Sequence, residues 1–181
     1  MHSVQKWLCI SILLAGSMVQ AQNITEYESK GAYLLNFYRY VTWPTPDNTL
    51  QIGVIGNDDF VVLLEKIAKE INLANINKSV HKVSLSDDLA QFQLIFVSNI
   101  KQDELEKLLK QLENKDILTV GDNIDNFCEM GGIINFSPKG SEKRFEINNP
   151  AALKAGLKIS SKLLTLAKLT VTDTGKLNIK N

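Results

Sequence analysis

Few side chains in this sequence are of types that could run chemistry, and most of them stand alone. His81 is the one histidine besides His2. It sits in the alternating run VHKVSL, with no second histidine or cysteine at metal-ligand spacing. Neither a zinc site nor a histidine-activated nucleophile is expected around it. Cys128 has no base at readable spacing and reads as a buried or half-buried structural thiol. Gly56, in GVIGNDDF, falls between a predicted strand and a predicted helix, where backbone amides can cradle an anion. The segment is neither a P-loop nor G-x-G-x-x-G, and Asp58 and Asp59 would repel phosphate, so it reads as a turn and a helix cap. Asp87 with Asp88, and Asp103 with Glu104, stand at helix starts, where the macrodipole favours acids. No carboxylate pair has the pattern of a catalytic acid and base. The inventory favours a binding module over an enzyme and implies no cofactor and no metal.

Residues suited to gripping a partner are more plentiful. Five of the chain's 13 aromatic side chains fall between Tyr33 and Trp43. At helical spacing Tyr33, Phe37 and Tyr40 share a face, and Leu34, Tyr38 and Val41 widen it. Arg39, Asn36 and Ala32 lie opposite, with Trp43 near them. Tyr33, Phe37 and Val41 are expected to pack on a sheet. Tyr38 and Trp43, rings with polar tips at the margin of the stripe, are candidates for a protein interface. In KRFEI, alternation sends Lys143, Phe145 and Ile147 one way and Arg144 and Glu146 the other. The plain reading of Arg144 and Glu146 is a solvated ion pair of small energetic value; the sharper one is a polar element of a binding patch. Lys154, Lys158 and Lys162 recur at i, i+4 and i+8 of a predicted last helix, where Gly156 and Ser160 would let it sit close to the sheet. That stripe reads as a solvated face, or as a contact for an acidic partner or anionic headgroups.

The elements that must position these residues alternate along the chain. ITEYESKGAYLLNFYRYVTW is predicted helical until Pro44 and Pro46 stop it. LQIGVI, VHKVSL, FQLIFVS and ILTVG read as strands, and DFVVLLEKIAKEIN and QDELEKLLKQLEN as helices, the first capped by Asp58 or Asp59. GGIINFS and KRFEI flank a turn at residues 138–140 and form a predicted hairpin. Gly131 and Gly132 imply a positive φ or a close backbone approach. Asn149 is the predicted cap of a last helix running to about residue 169, with Pro150 in its first position. The expected fold is a single three-layer α/β domain with a mixed, mostly parallel sheet and helices on both faces.

Composition sets the compartment. Residues 1–21 read as a secretory signal peptide: Lys6, then the apolar run WLCISILLAGSMV, too short to span a bilayer comfortably, then VQA before the cleavage point. The mature chain would be residues 22–181, with the domain over 22–169 and a polar tail over 170–181 that is frayed or an edge strand. Losing Lys6 leaves 19 basic residues against 20 acidic ones, a net charge of about −1, which argues against a nucleic-acid partner. Cys9 leaves with the signal, so Cys128 is unpaired and no intrachain disulfide forms.

The pattern K-x-A-Y-L-x-N-F-x-R-x-V-x-W-P over residues 30–44, with IGVIGNDDF, LIFVS, ILTVGD, F-x-E-x-G-G-I-I and RFEIN followed by AGLKISSKLLTLA, resembles the YfiR-like family of small secreted bacterial proteins. Gly31 stands where alanine is usual, and Tyr40 where phenylalanine is expected. The resemblance implies a periplasmic regulator, not an enzyme. It would contact the periplasmic sensor region of an inner-membrane diguanylate cyclase, hold it inactive and so lower cyclic-di-GMP and biofilm formation. A homodimer is compatible with that role. Family members often carry a cysteine just before the LIFV strand and another after the Gly-Gly turn. Phe92, and isoleucine and asparagine, stand at those places here, so no disulfide switch is implied. The alternative function is a periplasmic binder of a small ligand or a cell-wall fragment, with the α/β crevice as its pocket.

Overall fold

A computed structural model describes residues 25–167 except Pro46, Asp47, Lys139 and Lys143, and the backbone of two further strands at 169–171 and 177–179. The predicted signal peptide and Lys143 lie outside the described residues.

The chain opens with α1 (Glu26–Tyr40), where Thr25 accepts from Glu28 N and the Glu28 carboxylate accepts from Thr25 N, a reciprocal cap. A short β1 (Val41–Thr42) follows, then β2 (Thr49–Ile55), α2 (Asp58–Glu70), β3 (Asn77–Lys82) and β4 (Leu94–Val97). Next come α3 (Gln102–Leu112), β5 (Leu118–Asp122), β6 (Ile134–Phe136) and β7 (Phe145–Asn148). The chain closes with α4 (Asn149–Lys154), β8 (Lys158–Ile159), α5 (Ser161–Leu164), β9 (Leu169–Val171) and β10 (Leu177–Ile179).

Eight strands form one sheet in the order β10-β9-β7-β6-β5-β4-β2-β3. All neighbours are parallel except the β6–β7 hairpin and the β9–β10 pair. Period-two alternation divides the sheet between two cores. Leu94, Phe96, Leu118 and Val120 face α1, α2, α4 and α5. Ile95, Val97, Phe127 and Cys128 lie with α3 on the other face. The three-layer, mostly parallel α/β fold expected from the sequence is what forms.

Helix α1 buries Gly31, Leu34, Leu35 and Phe37, while Tyr33, Tyr38 and Tyr40 are half-buried. Its inward face is thus turned toward Leu35 relative to the aromatic stripe of the sequence, because α2 presses on Gly31. A Cβ there would lie 2.6 Å from Ile67 Cδ1. The aromatics still reach the sheet: Phe37 packs on Phe145 (centroids 5.3 Å) and Phe136 (5.9 Å).

Three local expectations are corrected. Helix α1 ends at Tyr40, before the prolines, because Val41 and Thr42 adopt strand geometry and pair with β8. The caps of α2 and α4 are Asn57 and Asn148, not Asp58 or Asp59 and not Asn149; each asparagine Oδ1 accepts the N–H three residues on, at 3.0 Å. Most consequentially, the single last helix is two short helices with a strand between. Gly156 takes φ +73°, Gly156 N bonds Leu153 O, and Leu157 N bonds Ala152 O at 2.8 Å, a Schellman stop. Ser160 then caps α5 through Leu163 N. The Lys154–Lys158–Lys162 stripe therefore does not exist as a helical face: the three lie on α4, β8 and α5.

Gly56 ends β2 with φ +82°, and a Cβ on it would stand 1.8 Å from Ser98 O. Gly56→Ala should cost at least about 1–3 kcal/mol from the backbone conformation alone. Chemical denaturation reads this directly; an unchanged midpoint would show that the turn yields.

Candidate functional site

Three places gather the polar and aromatic residues. The first is at the carboxyl ends of β5 and β6, under the first turns of α1. Lys30 Nζ lies 2.5 Å from Asp122 Oδ1 and 2.6 Å from Glu26 Oε1. The pair with Asp122 is nearly closed to water, with the side chains 10 % and 7 % exposed. Tyr27 Oη donates to Asp122 Oδ2 at 3.1 Å. The ammonium also stands 5.0 Å from the Tyr27 ring centroid and 5.9 Å from that of Phe136. Burial opposes the charge on Lys30, yet the hydrogen bonds and charges of Asp122 and Glu26 outweigh it, and its pKa is raised. Burial, followed by the Asp122 charge and hydrogen bond, raises the Tyr27 phenol. The ammonium clamps the first turn of α1 to the end of β5. Beside it opens a hollow of about 590 Å³ lined by Ser29, Lys30, Tyr33, Phe136, Ser137, Ser141 and Arg144.

The second place is on the opposite face, beneath the turn at 123–131. Alternation in β7 sends Phe145 and Ile147 into the α1 core and Glu146 the other way, against Cys128. Glu146 Oε1 is sealed from solvent, with no hydrogen-bond partner among the described residues. The Cys128 thiol, fully buried, turns to Ile133 O at 3.9 Å. Burial, then the charges of Glu146 and Glu129, push that thiol well above its ordinary value, so Cys128 is a protonated structural thiol with no disulfide. Burial, then the Glu129 charge, raises the Glu146 carboxyl, against a smaller lowering by Cys128.

The solvated Arg144–Glu146 pair is therefore corrected. Arg144 is exposed beside the first hollow, Glu146 is half-buried under the Cys128 turn, and no ion pair joins them among the described residues. A buried carboxyl gains nothing from an exposed guanidinium it does not touch.

The third place is the corner where α1 ends. Tyr38 and Trp43 stack, centroids 5.1 Å apart at 30°. They line a shallow hollow of about 200 Å³ with Thr42, Thr45, Thr49 and Gln93. Thr42 pairs across the ladder with Lys158, and Lys162 Nζ stands 5.7 Å from the Tyr40 ring centroid. Two of the three lysines thus come near the aromatic corner, Lys158 beside Thr42 of the hollow and Lys162 over Tyr40. Lys154 does not join them; it lines a separate groove of about 510 Å³ with Glu106, Glu113 and Glu129. His81 is exposed, edge-on to Phe92 at 5.7 Å, and no metal-holding cluster occurs among the described residues.

The buried Lys30 network was missed from sequence as a site. Its signals were present: Glu26 and Lys30 at i, i+4, and the aspartate that closes ILTVGD at a strand's carboxyl end. A model of the YfiR/HmsC-like family matches residues 27–168, a span that holds all three places except Glu26. The chain belongs to the YfiR/HmsC-like family. Lys30, Tyr38, Trp43, Cys128 and Glu146 all fall within the matched span, so the resemblance drawn from sequence motifs holds. Membership carries the coarse class of regulator. Among the described residues no helix is long and apolar enough to cross a membrane.

Two outcomes follow from these geometries. Lys30→Ala leaves Asp122 buried and unpaired, so it should cost about 3–5 kcal/mol of folding free energy, measured by urea denaturation. Glu146 has the opposite character. Its raised pKa means that the folded chain keeps a proton that the unfolded chain releases, so its contribution is complete below the ordinary carboxyl value and is lost as pH rises through the raised one. Glu146→Gln should therefore gain stability over the wild type as the buffer goes from acidic to neutral. Parallel stability curves for the two proteins would refute the assignment.

Proposed function

We propose that this chain is a periplasmic regulator that represses an inner-membrane diguanylate cyclase by contacting the cyclase's periplasmic region, and so lowers cyclic-di-GMP. The signal-like residues 1–21 would deliver it to the periplasm. The observation that carries the reading is the family match across residues 27–168. The geometry supports it. The densest polar cluster among the described residues, Lys30 with Asp122, Glu26 and Tyr27, is bonded within itself and serves as a clamp. Action by contact needs no more than a rigid scaffold and a complementary surface.

A second reading has one observation in its favour. The hollow of about 590 Å³ beside Lys30 and Arg144 has ring walls from Tyr33 and Phe136 and hydroxyls from Ser29, Ser137 and Ser141. That is the size and make-up of a small-molecule site. Occupancy would then either set the regulator's affinity for its partner or be its whole function.

Deleting the gene should raise cellular cyclic-di-GMP in a host that carries the partner cyclase, as measured by mass spectrometry of nucleotide extracts. Unchanged cyclic-di-GMP, together with a melting temperature raised by a periplasmic small molecule, would transfer the function to the hollow.

A further inference from the structure

The corner where α1 ends has features that the clamp and the buried carboxyl lack: it is exposed, and its lysines form no ion pair among the described residues. Its surface comes from two stretches, residues 38–45 and 155–167, brought together by the Val41–Ile159 and Thr42–Lys158 pairs. Together these stretches carry Arg39, Lys158 and Lys162 and no acidic residue. Arg39 is spent on Asn72 O at 2.5 Å. Lys158 and Lys162 are exposed and make no ion pair among the described residues.

Alternation along β1 and β8 buries Val41 and Ile159 and leaves Thr42 and Lys158 outward. Thr42 also borders the hollow that Tyr38 and Trp43 line, so the basic flank and the aromatic hollow are contiguous. Trp43 Nε1 is closed to solvent and has no hydrogen-bond partner among the described residues. An indole N–H donates only, and leaving it unmet and buried costs free energy in the free protein.

We propose that this corner is the docking face of the regulator and that it takes an acidic segment of the partner protein. Carboxylates of the segment meet Lys158 and Lys162, and its neighbouring side chains pack in the hollow that Tyr38 and Trp43 line. The inference rests on the partner reading of the function and adds to it the face and the chemistry of the partner. Lys154 lies outside this face, on α4, and serves as the charge control.

The test titrates the purified mature protein against the isolated periplasmic region of the cognate cyclase at two salt concentrations. The double variant Lys158→Glu/Lys162→Glu should weaken binding about tenfold or more and flatten its salt dependence. Lys154→Glu should bind as the wild type does. Trp43→Phe trims one wall of the hollow and removes a buried, unmet N–H, so it should weaken the complex while leaving the free protein at least as stable. A Trp43 with only a structural role would lose stability first. Wild-type affinity in the lysine double variant overturns the docking face and spares the regulatory reading. No binding by the wild type removes both. If instead the protein cosediments with phosphatidylglycerol vesicles, and the lysine double variant does not, the corner belongs to a membrane surface and the protein-partner proposal fails.

Discussion

Helix α1 precedes every strand of the sheet, so no βα connection ties it down, and its seat depends on the ion pair between Lys30 and Asp122. Asp122 ends β5, at the middle of the sheet. The pair thus fixes α1 over the strand ends, which in turn places Phe37 on Phe136 and Phe145. Apolar packing alone would tolerate a small rotation or slide of α1, because aromatic contacts are broad in geometry. A buried charge tolerates neither, since losing its partner costs far more than the pair contributes in net stability. The clamp therefore acts mainly on position. It decides where the far end of α1 arrives, and with it whether Val41 meets Ile159.

That second meeting builds the corner. Two interruptions serve each other there: α1 stops early to give β1, and the last helix breaks to give β8. Gly156 accommodates the break, and Pro44 packs against it, its Cγ 3.3 Å from where a Cβ on Gly156 would stand. Neither interruption would be stable alone, because two-residue strands have no worth without a partner.

The legibility of this chain follows the range of the forces. Period-two strands such as LIFV and amphipathic helices such as QDELEKLLKQL announce themselves within a few residues, and the layered α/β fold follows from their alternation. Glu146 and Phe145 were placed on opposite sides of their strand by the same local rule. What covers Glu146 was not legible, because the Cys128 turn reaches it from residues 123–131 across the hairpin. Gly156 and Ser160 were seen but read as thin packing residues. Their roles as helix stop and helix cap depend on β1, more than a hundred residues earlier, offering something to pair with. The Lys30 cluster was hidden for the same reason, since Asp122 is 92 residues away from its partner.

The sealed position of Cys128 has a use beyond structure. A thiol that is fully buried and held protonated reacts only when the turn above it swings away. As the sole cysteine of the described chain, its rate of alkylation by a soluble reagent is a clock for that one opening. The molecule thus carries its own label for local breathing on the face opposite α1, and anything that grips or loosens that face would change the clock's speed without any engineered probe.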